Sequence, residues 1–596
     1  MKKAGILMPV FSLPGKYGIG TLGEEAYRFI DLLCETGNKI WQILPMGPTG
    51  FGDSPYQAFS AFAGNPYFVD LDLLVEEGLL SAEELADPEA FDFGDAVDYA
   101  ALARAEAAAR AQKQPVAVAD ESEEKESDDD AASDAKNAPA IWFAHDRDVA
   151  FRDLRHWLKQ PANVRQEAGV PVDSIERVNY GKLYSSKNKA LKLAFTHFKE
   201  QGGDVAALFA ELRPETVEYC VFMAIKDSLS GASWDVWPEE LRDCDPKAVA
   251  AFRAEHADEV AFYAFVQYEF NKQWAALRAY AAARGIEILG DIPIYCAPDS
   301  ADAWAHRELF QYTKDGHPSK VAGVPPDAFS ATGQLWGNPL YDWAAHKKTN
   351  YAWWCARMEY CLSMYDCLRV DHFRGFEAYY AVPFGDDTAE NGAWVKGPGM
   401  GLFRAMYQHF GTKELPIIAE DLGVITDAVR KLMAETGFPG MKVLQFAWDS
   451  GAGNAYLPHN FTTPNCVCYT GTHDNDTLRH WFETIPDWQR DYMYQYMSRS
   501  GNDWNAMPEL LIKRAMASIA DTVIVPAGDY LGLGGDARIN QPGTSGQNWQ
   551  WRMTEDAFTE HEKQVICGIL RTYDRFREAP AKPTAESEEL VSTEQE

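Results

Sequence analysis

Apolar residues recur along the chain in short continuous runs separated by segments of helical spacing. The first run, at 4–8, is followed by a Gly- and Pro-rich loop. Ala26, Phe29, Ile30 and Leu33 then mark one helix face within 23–36. Their i, i+3, i+4, i+7 spacing predicts an amphipathic helix. A second run at 39–45 ends at Pro45 and predicts the second strand of a strand–helix–strand unit. Further strands are expected at 286–293, 367–370, 416–419, 441–446, 466–471 and 521–526, with helices such as 258–284 and 426–436 between them. Eight apolar strands alternating with helices predict an α/β fold, a (β/α)8 TIM barrel. An open doubly wound sheet is the alternative. A dinucleotide site is not expected.

The alternation breaks between 76 and 257, where the chain turns rich in Ala, Glu and Leu. The organisation expected is a first part of the barrel at 1–75, an inserted and mainly helical subdomain at 76–257, and the rest of the barrel at 258–578 with long loops on its catalytic face. Two segments lack the apolar residues to build a core: an acidic loop near 119–138 and the acidic tail 579–596. Both are expected to be disordered.

The net charge is −34, from 89 acidic and 55 basic residues. Such a field repels phosphate backbones and anionic membranes, so neither is an expected partner. The ten cysteines show no zinc-type C-x2-C pairing and read as buried hydrophobes of a reducing compartment. The start does not continue as a signal peptide, and no stretch is long enough to span a bilayer. A cytoplasmic location follows as the expectation. Nothing in the chain bears on oligomeric state.

Polar chemistry gathers where the strands end. Asp371 ends the fourth strand, Glu420 the fifth and Asp474 the seventh. Barrel enzymes place catalysis at the C-terminal strand ends. Carboxyl groups on adjacent strands can approach to roughly 5 Å, the separation used by retaining glycosidases. Arg369, two residues before Asp371, lies on the same strand face and favours an ionised Asp371. Glu420 has to hold a proton to assist a leaving group, so a raised pKa is expected for it. His473 is placed to hydrogen-bond sugar hydroxyls. Aromatics make up 13% of the chain, and Trp336, in the Gly- and Pro-rich segment 323–339, is the best-placed sugar platform. That segment is expected to be a loop folding over the site.

Together these stretches resemble the 4-α-glucanotransferases of the amylomaltase (disproportionating enzyme) type, within the α-amylase superfamily. The carriers are Leu44-Pro45-Met46-Gly47-Pro48-Thr49-Gly50, Gly52-Asp53-Ser54-Pro55-Tyr56-Gln57, Gly290-Asp291-Ile292-Pro293, Trp336-Gly337-Asn338-Pro339, Arg369-Val370-Asp371-His372-Phe373-Arg374-Gly375, Ala419-Glu420-Asp421-Leu422-Gly423 and Gly471-Thr472-His473-Asp474-Asn475. The resemblance covers nearly the whole chain. It implies transfer of a 1,4-α-glucan segment between malto-oligosaccharides by double displacement, with neither metal nor organic cofactor. Asp371 would be the nucleophile, Glu420 the acid/base and Asp474 the third carboxylate. Arg369, His473, Asp327, Gln334, Trp336, Asn338, Asp53, Ser54, Tyr56 and Asp291 would line the substrate groove. Two places depart from the pattern. Gly528 stands where Gln is more usual, and Ser545-Gly546-Gln547-Asn548-Trp549 replaces a Gly-Asn-Trp run. The residues alone leave open a retaining α-glucan hydrolase and a non-catalytic glycan-binding barrel.

Overall fold

The computed structural model describes residues 2–578 apart from 51, 88–89, 94–176, 315, 327–329, 424, 500–505 and 545. The acidic loop near 119–138, the tail 579–596, Asp327 and Ser545 lie outside the described residues. Twelve strands are described: β1 (Lys3–Leu7), β2 (Ile40–Gln42), β3 (Glu287–Ile292), β4 (Lys320–Val324), β5 (Gln334–Pro339), β6 (Cys367–Val370), β7 (Ala378–Pro383), β8 (Ala393–Lys396), β9 (Ile417–Ala419), β10 (Gly440–Val443), β11 (Cys466–Tyr469) and β12 (Thr522–Pro526).

Eight of them pair in the order β10-β11-β12-β1-β2-β3-β6-β9, and every pairing is parallel. The two ends of that order meet. Ala419 N–H donates to the Pro439 carbonyl at 2.9 Å, and Met441 N–H donates to Asp421 Oδ1 at 2.7 Å. The sheet is therefore a closed (β/α)8 barrel, built from the eight expected strands. Parallel barrel strands are covered on both faces, which is why they read as continuous apolar runs rather than alternations. β11, Cys-Val-Cys-Tyr, is buried at all four positions. β3 shows how tightly the barrel is covered. A Cβ on Gly290 would lie 2.3 Å from the ring of Tyr365, so only glycine lets that ring pack against the strand beside Asp291.

The expected helices are present at Glu24–Thr36, Ala257–Ala283 and Asp427–Thr436. The described elements between β2 and β3 are helical, including Tyr180–Glu200, Pro214–Ser228 and Ala257–Ala283. Helix Ala257–Ala283 is buried on most sides, and its Tyr263 donates to Asp227 at the end of Pro214–Ser228. The helix Tyr180–Glu200 is tied to a distant segment. Tyr180 Oη donates to the Trp549 carbonyl and Val178 N–H to that of Gln550.

The segment 323–339 is not the loop expected from its glycines and prolines. β4 and β5 form a hairpin in a second, antiparallel sheet of order β5-β4-β7-β8. The strand that pairs with β4 on its other side, β7, lies about sixty residues further on, and a local reading of turn-forming residues misses such a partner. Val321, Tyr380, Val382 and Ala389 form a small core of their own beneath it.

The bottom of the barrel is closed by Arg575, which is fully buried. Its guanidinium donates to the carbonyls of Lys3, Met516, Ser518, Ala520 and Asp521.

Candidate active site

Residues at the C-terminal ends of β3, β6, β9 and β11 converge on one polar cluster. β6 delivers Arg369 inward and ends directly before Asp371. Arg369 Nη1 donates to both Asp291 oxygens at 2.8 and 2.6 Å, and Nη2 donates to Asp371 Oδ1 at 2.8 Å. One buried cation thus neutralises two carboxylates on neighbouring strands. Among the described residues no hydrogen bond reaches Asp371 Oδ2, and the side chain is 30% exposed. Asp371 therefore presents one oriented, accessible oxygen.

Glu420 follows β9, the hydrogen-bonded neighbour of β6, with Val370 opposite Ala419. Its Oε2 accepts from His372 N–H at 2.8 Å and its Oε1 from Leu422 N–H at 2.6 Å. His372 has φ 52°, a left-handed backbone that a non-glycine residue adopts at a cost of about 1–3 kcal/mol. The bond that His372 N–H donates to Glu420 helps to hold that turn, so the two carboxylates share one strained peptide segment. Burial, reinforced by the charge of Asp371 and opposed by Arg369, raises the Glu420 carboxyl to about 7. The raised value expected of a proton donor is present. Burial lowers the His372 imidazole to about 4, so that ring is neutral near neutral pH.

Tyr56 closes one side. Its hydroxyl donates to Asp291 Oδ2 at 2.9 Å, and its ring stacks on His473 with centroids 5.0 Å apart. His473 is buried. Its Nδ1 faces the Tyr56 hydroxyl at 3.4 Å and its Nε2 lies 3.3 Å from Asp474 Oδ1. Asp474 Oδ1 also accepts from Asn540 Nδ2 at 2.6 Å.

The remaining expected groove residues fall into two groups. Trp336, on β5, stands edge-on to His372 with centroids 4.8 Å apart, and its Nε1 donates to Gln334 Oε1. The hairpin thus brings Trp336 and Gln334 to the residue after Asp371. The others brace the site. Asp291 is fully buried beneath Arg369, and Asn338 donates to the Cys296 carbonyl and accepts from Gln57. Ser54 Oγ accepts from Tyr56 N–H and shapes the turn carrying Tyr56. Asp53, at φ 60°, is half-buried, and burial lifts its carboxyl to about 7. It lies near the hydroxyls of Tyr67 and Tyr180 rather than in the Arg369 cluster.

Three participants were not singled out from the sequence as candidates: His372, Asn540 and Trp549. Trp549 is buried against Tyr56 and His473, 5.7 and 5.8 Å away between centroids. Asn540 and Trp549 follow β12, some seventy residues beyond Asp474, and only the fold brings them back. The string Arg538-Ile539-Asn540, polar and close behind the eighth strand, was the available signal.

The sequence profile of a family described as 4-alpha-glucanotransferase (Glyco_hydro_77) matches residues 8–160 and 148–558. The chain belongs to the 4-alpha-glucanotransferase family. A 4-alpha-glucanotransferase of Clostridium butyricum is 39% identical over 574 residues, covering 95% of this chain and all of the relative. One from Thermus thermophilus is 40% identical over 558 residues, covering 92% and 94%. An amylomaltase from Streptococcus agalactiae, solved in complex with acarbose, superposes with a TM-score of 0.74 at 34% identity, covering 97% of this chain and 100% of that one. Membership makes the chain a glycosyltransferase acting on α-1,4-glucans, within the α-amylase superfamily. Among the described residues no group of His, Cys, Asp and Glu is arranged to hold a metal ion, and no helix is long and apolar enough to cross a membrane.

Proposed function

We propose that this 4-α-glucanotransferase works by a retaining double displacement, with Asp371 as nucleophile and Glu420 as acid/base. Asp371 Oδ2 attacks the anomeric carbon of the donor. The bond from that carbon to the leaving O4 breaks, and the Glu420 proton goes to O4. The glucan segment is then held as an ester on Asp371. The 4-OH of an acceptor glucose or oligosaccharide attacks the same carbon. Its proton passes to Glu420, and the ester bond to Asp371 breaks. Two inversions retain the α configuration.

The observation that carries this reading is the contrast between two neighbouring carboxylates. Asp371 is paired with Arg369 and keeps one free oxygen, whereas Glu420 is buried and holds a proton up to about pH 7. A buried acid with a raised pKa suits proton donation, and an accessible carboxylate oxygen suits attack. Asp474, held by Asn540, is the third carboxylate and meets the sugar hydroxyls at the reacting unit. Trp336 and Gln334 cover the groove. Malto-oligosaccharides serve as both donor and acceptor, without metal or organic cofactor, nucleic acid or membrane. A cytoplasmic location is supported by all ten cysteines being unpaired.

Incubation with maltotriose tests the reading. A ladder of longer chains plus glucose, with new linkages α by NMR, is expected. Release of glucose and maltose alone would assign a hydrolase, and unchanged maltotriose would leave only glycan binding.

A further inference from the structure

The turn that carries Asp474 is braced from outside by a strap that follows β12. Arg538 is the hub of that strap. Its Nη2 donates to the Asp474 main-chain carbonyl at 3.0 Å, and its Nε donates to the Asn540 carbonyl at 2.9 Å. Asn540 in turn grips the same turn twice. Its N–H donates to the His473 carbonyl at 3.1 Å, and its Nδ2 donates to Asp474 Oδ1 at 2.6 Å. The guanidinium also lies 3.5 Å from Asp476 Oδ2, an oxygen 2.6 Å from His480 Nδ1. Every described side-chain hydrogen bond of Arg538 therefore ends on the Asp474–Asp476 turn or on the residue that holds Asp474 Oδ1.

We infer that Arg538 is a positioning residue for Asp474. It fixes the main chain on which that carboxylate stands and the asparagine that immobilises Oδ1. Among the described residues no hydrogen bond reaches Asp474 Oδ2, so locking one oxygen aims the other at the groove. The planar guanidinium suits this task because it serves two carbonyls in fixed directions at once, which an ammonium does not. Arg538 touches no reacting atom on this account, and its effect passes through Asp474. The inference rests on the reading of Asp474 as a carboxylate that stabilises the transition state.

A misplacement of about 1 Å at a reacting group costs on the order of 100-fold in rate. R538Q is therefore expected to lower kcat on maltotriose about 10- to 100-fold while KM stays within about twofold. The deciding measurement is a cycle of wild type, R538Q, D474N and the double variant. Residues that act as one unit do not add. The double variant is expected to match D474N, within the error of about twofold that such cycles carry.

R538Q with wild-type kcat, or R538Q that lowers kcat by its full factor again in the D474N background, overturns the inference. A folded R538Q whose only defect is a lower Tm does the same. If D474N itself keeps wild-type kcat, the assignment of Asp474 fails instead, which separates the two failures. If R538Q does not fold, the same cycle with R538K decides with the same signs.

Discussion

Two buried arginines stand at opposite ends of the barrel, and they teach different things. Arg575 closes the N-terminal end and donates only to main-chain carbonyls. Arg369 lies near the C-terminal end and donates to two carboxylates, Asp291 and Asp371. Burial costs each guanidinium its hydration, and each recovers it through hydrogen bonds. The acceptors decide the rest. Neutral carbonyls return the cost as structure, by tying together chain segments that start or end at the barrel floor. Carboxylates at strand ends return it as a charged, oriented oxygen facing a groove. On the proposed mechanism Arg369 belongs to the reaction because one of its acceptors, Asp371, keeps a free oxygen that substrate can reach.

This contrast can be broken or sharpened by substitution. The largest effect falls on Asp371 itself. D371N is expected to lower kcat by about four orders of magnitude or more while the Tm stays near that of the wild type. Next is R369Q, expected to lower kcat about 100- to 1,000-fold by freeing Asp371. It also leaves Asp291 buried without its cation, a destabilisation of about 3–5 kcal/mol in denaturant unfolding. R575Q should destabilise by a comparable amount, on the order of 3–5 kcal/mol, since several buried carbonyls lose a charged donor. At a temperature where R575Q is folded, its kcat should stay within about twofold of wild type. A catalytic defect in folded R575Q would remove the distinction between the two ends.

The smallest effect is a shift in pH dependence. On the proposed mechanism Glu420 carries a proton in the first step, so kcat/KM should fall as pH rises through about 7. Arg369 lowers the Glu420 value by favouring its charged form. R369Q therefore raises it and moves the basic limb to higher pH, by up to about one unit. R575Q should leave the limb in place.

The barrel was legible because its parallel strands are apolar on both faces and alternate with strongly periodic helices. Asp371 and Glu420 were legible because each follows such a run directly, and Asp474 because it comes a few residues after one. Arg369 was legible as the residue two positions from Asp371 on a strand. The hairpin β4–β5 was not, because Gly323, Pro325 and Gly333 are turn residues and the strand that pairs with β4 is remote. The fate of Asp291 and Asn338 was also hidden. Both are polar and sit in conspicuous motifs, but both are buried and committed to protein partners. Arg538, Asn540 and Trp549 reach the site from beyond the eighth strand, and sequence distance says nothing of that approach.

Trapping the glycosyl-enzyme tests the central assignment most directly. The protein is incubated with a fluorinated maltosyl fluoride that slows the second step, then digested and read by peptide mass spectrometry. The sugar is expected as an ester on Asp371, within Arg369-Val370-Asp371-His372, and absent from D371N. A label on Glu420 or Asp474, or persistent labelling of D371N, would contradict Asp371 as the nucleophile.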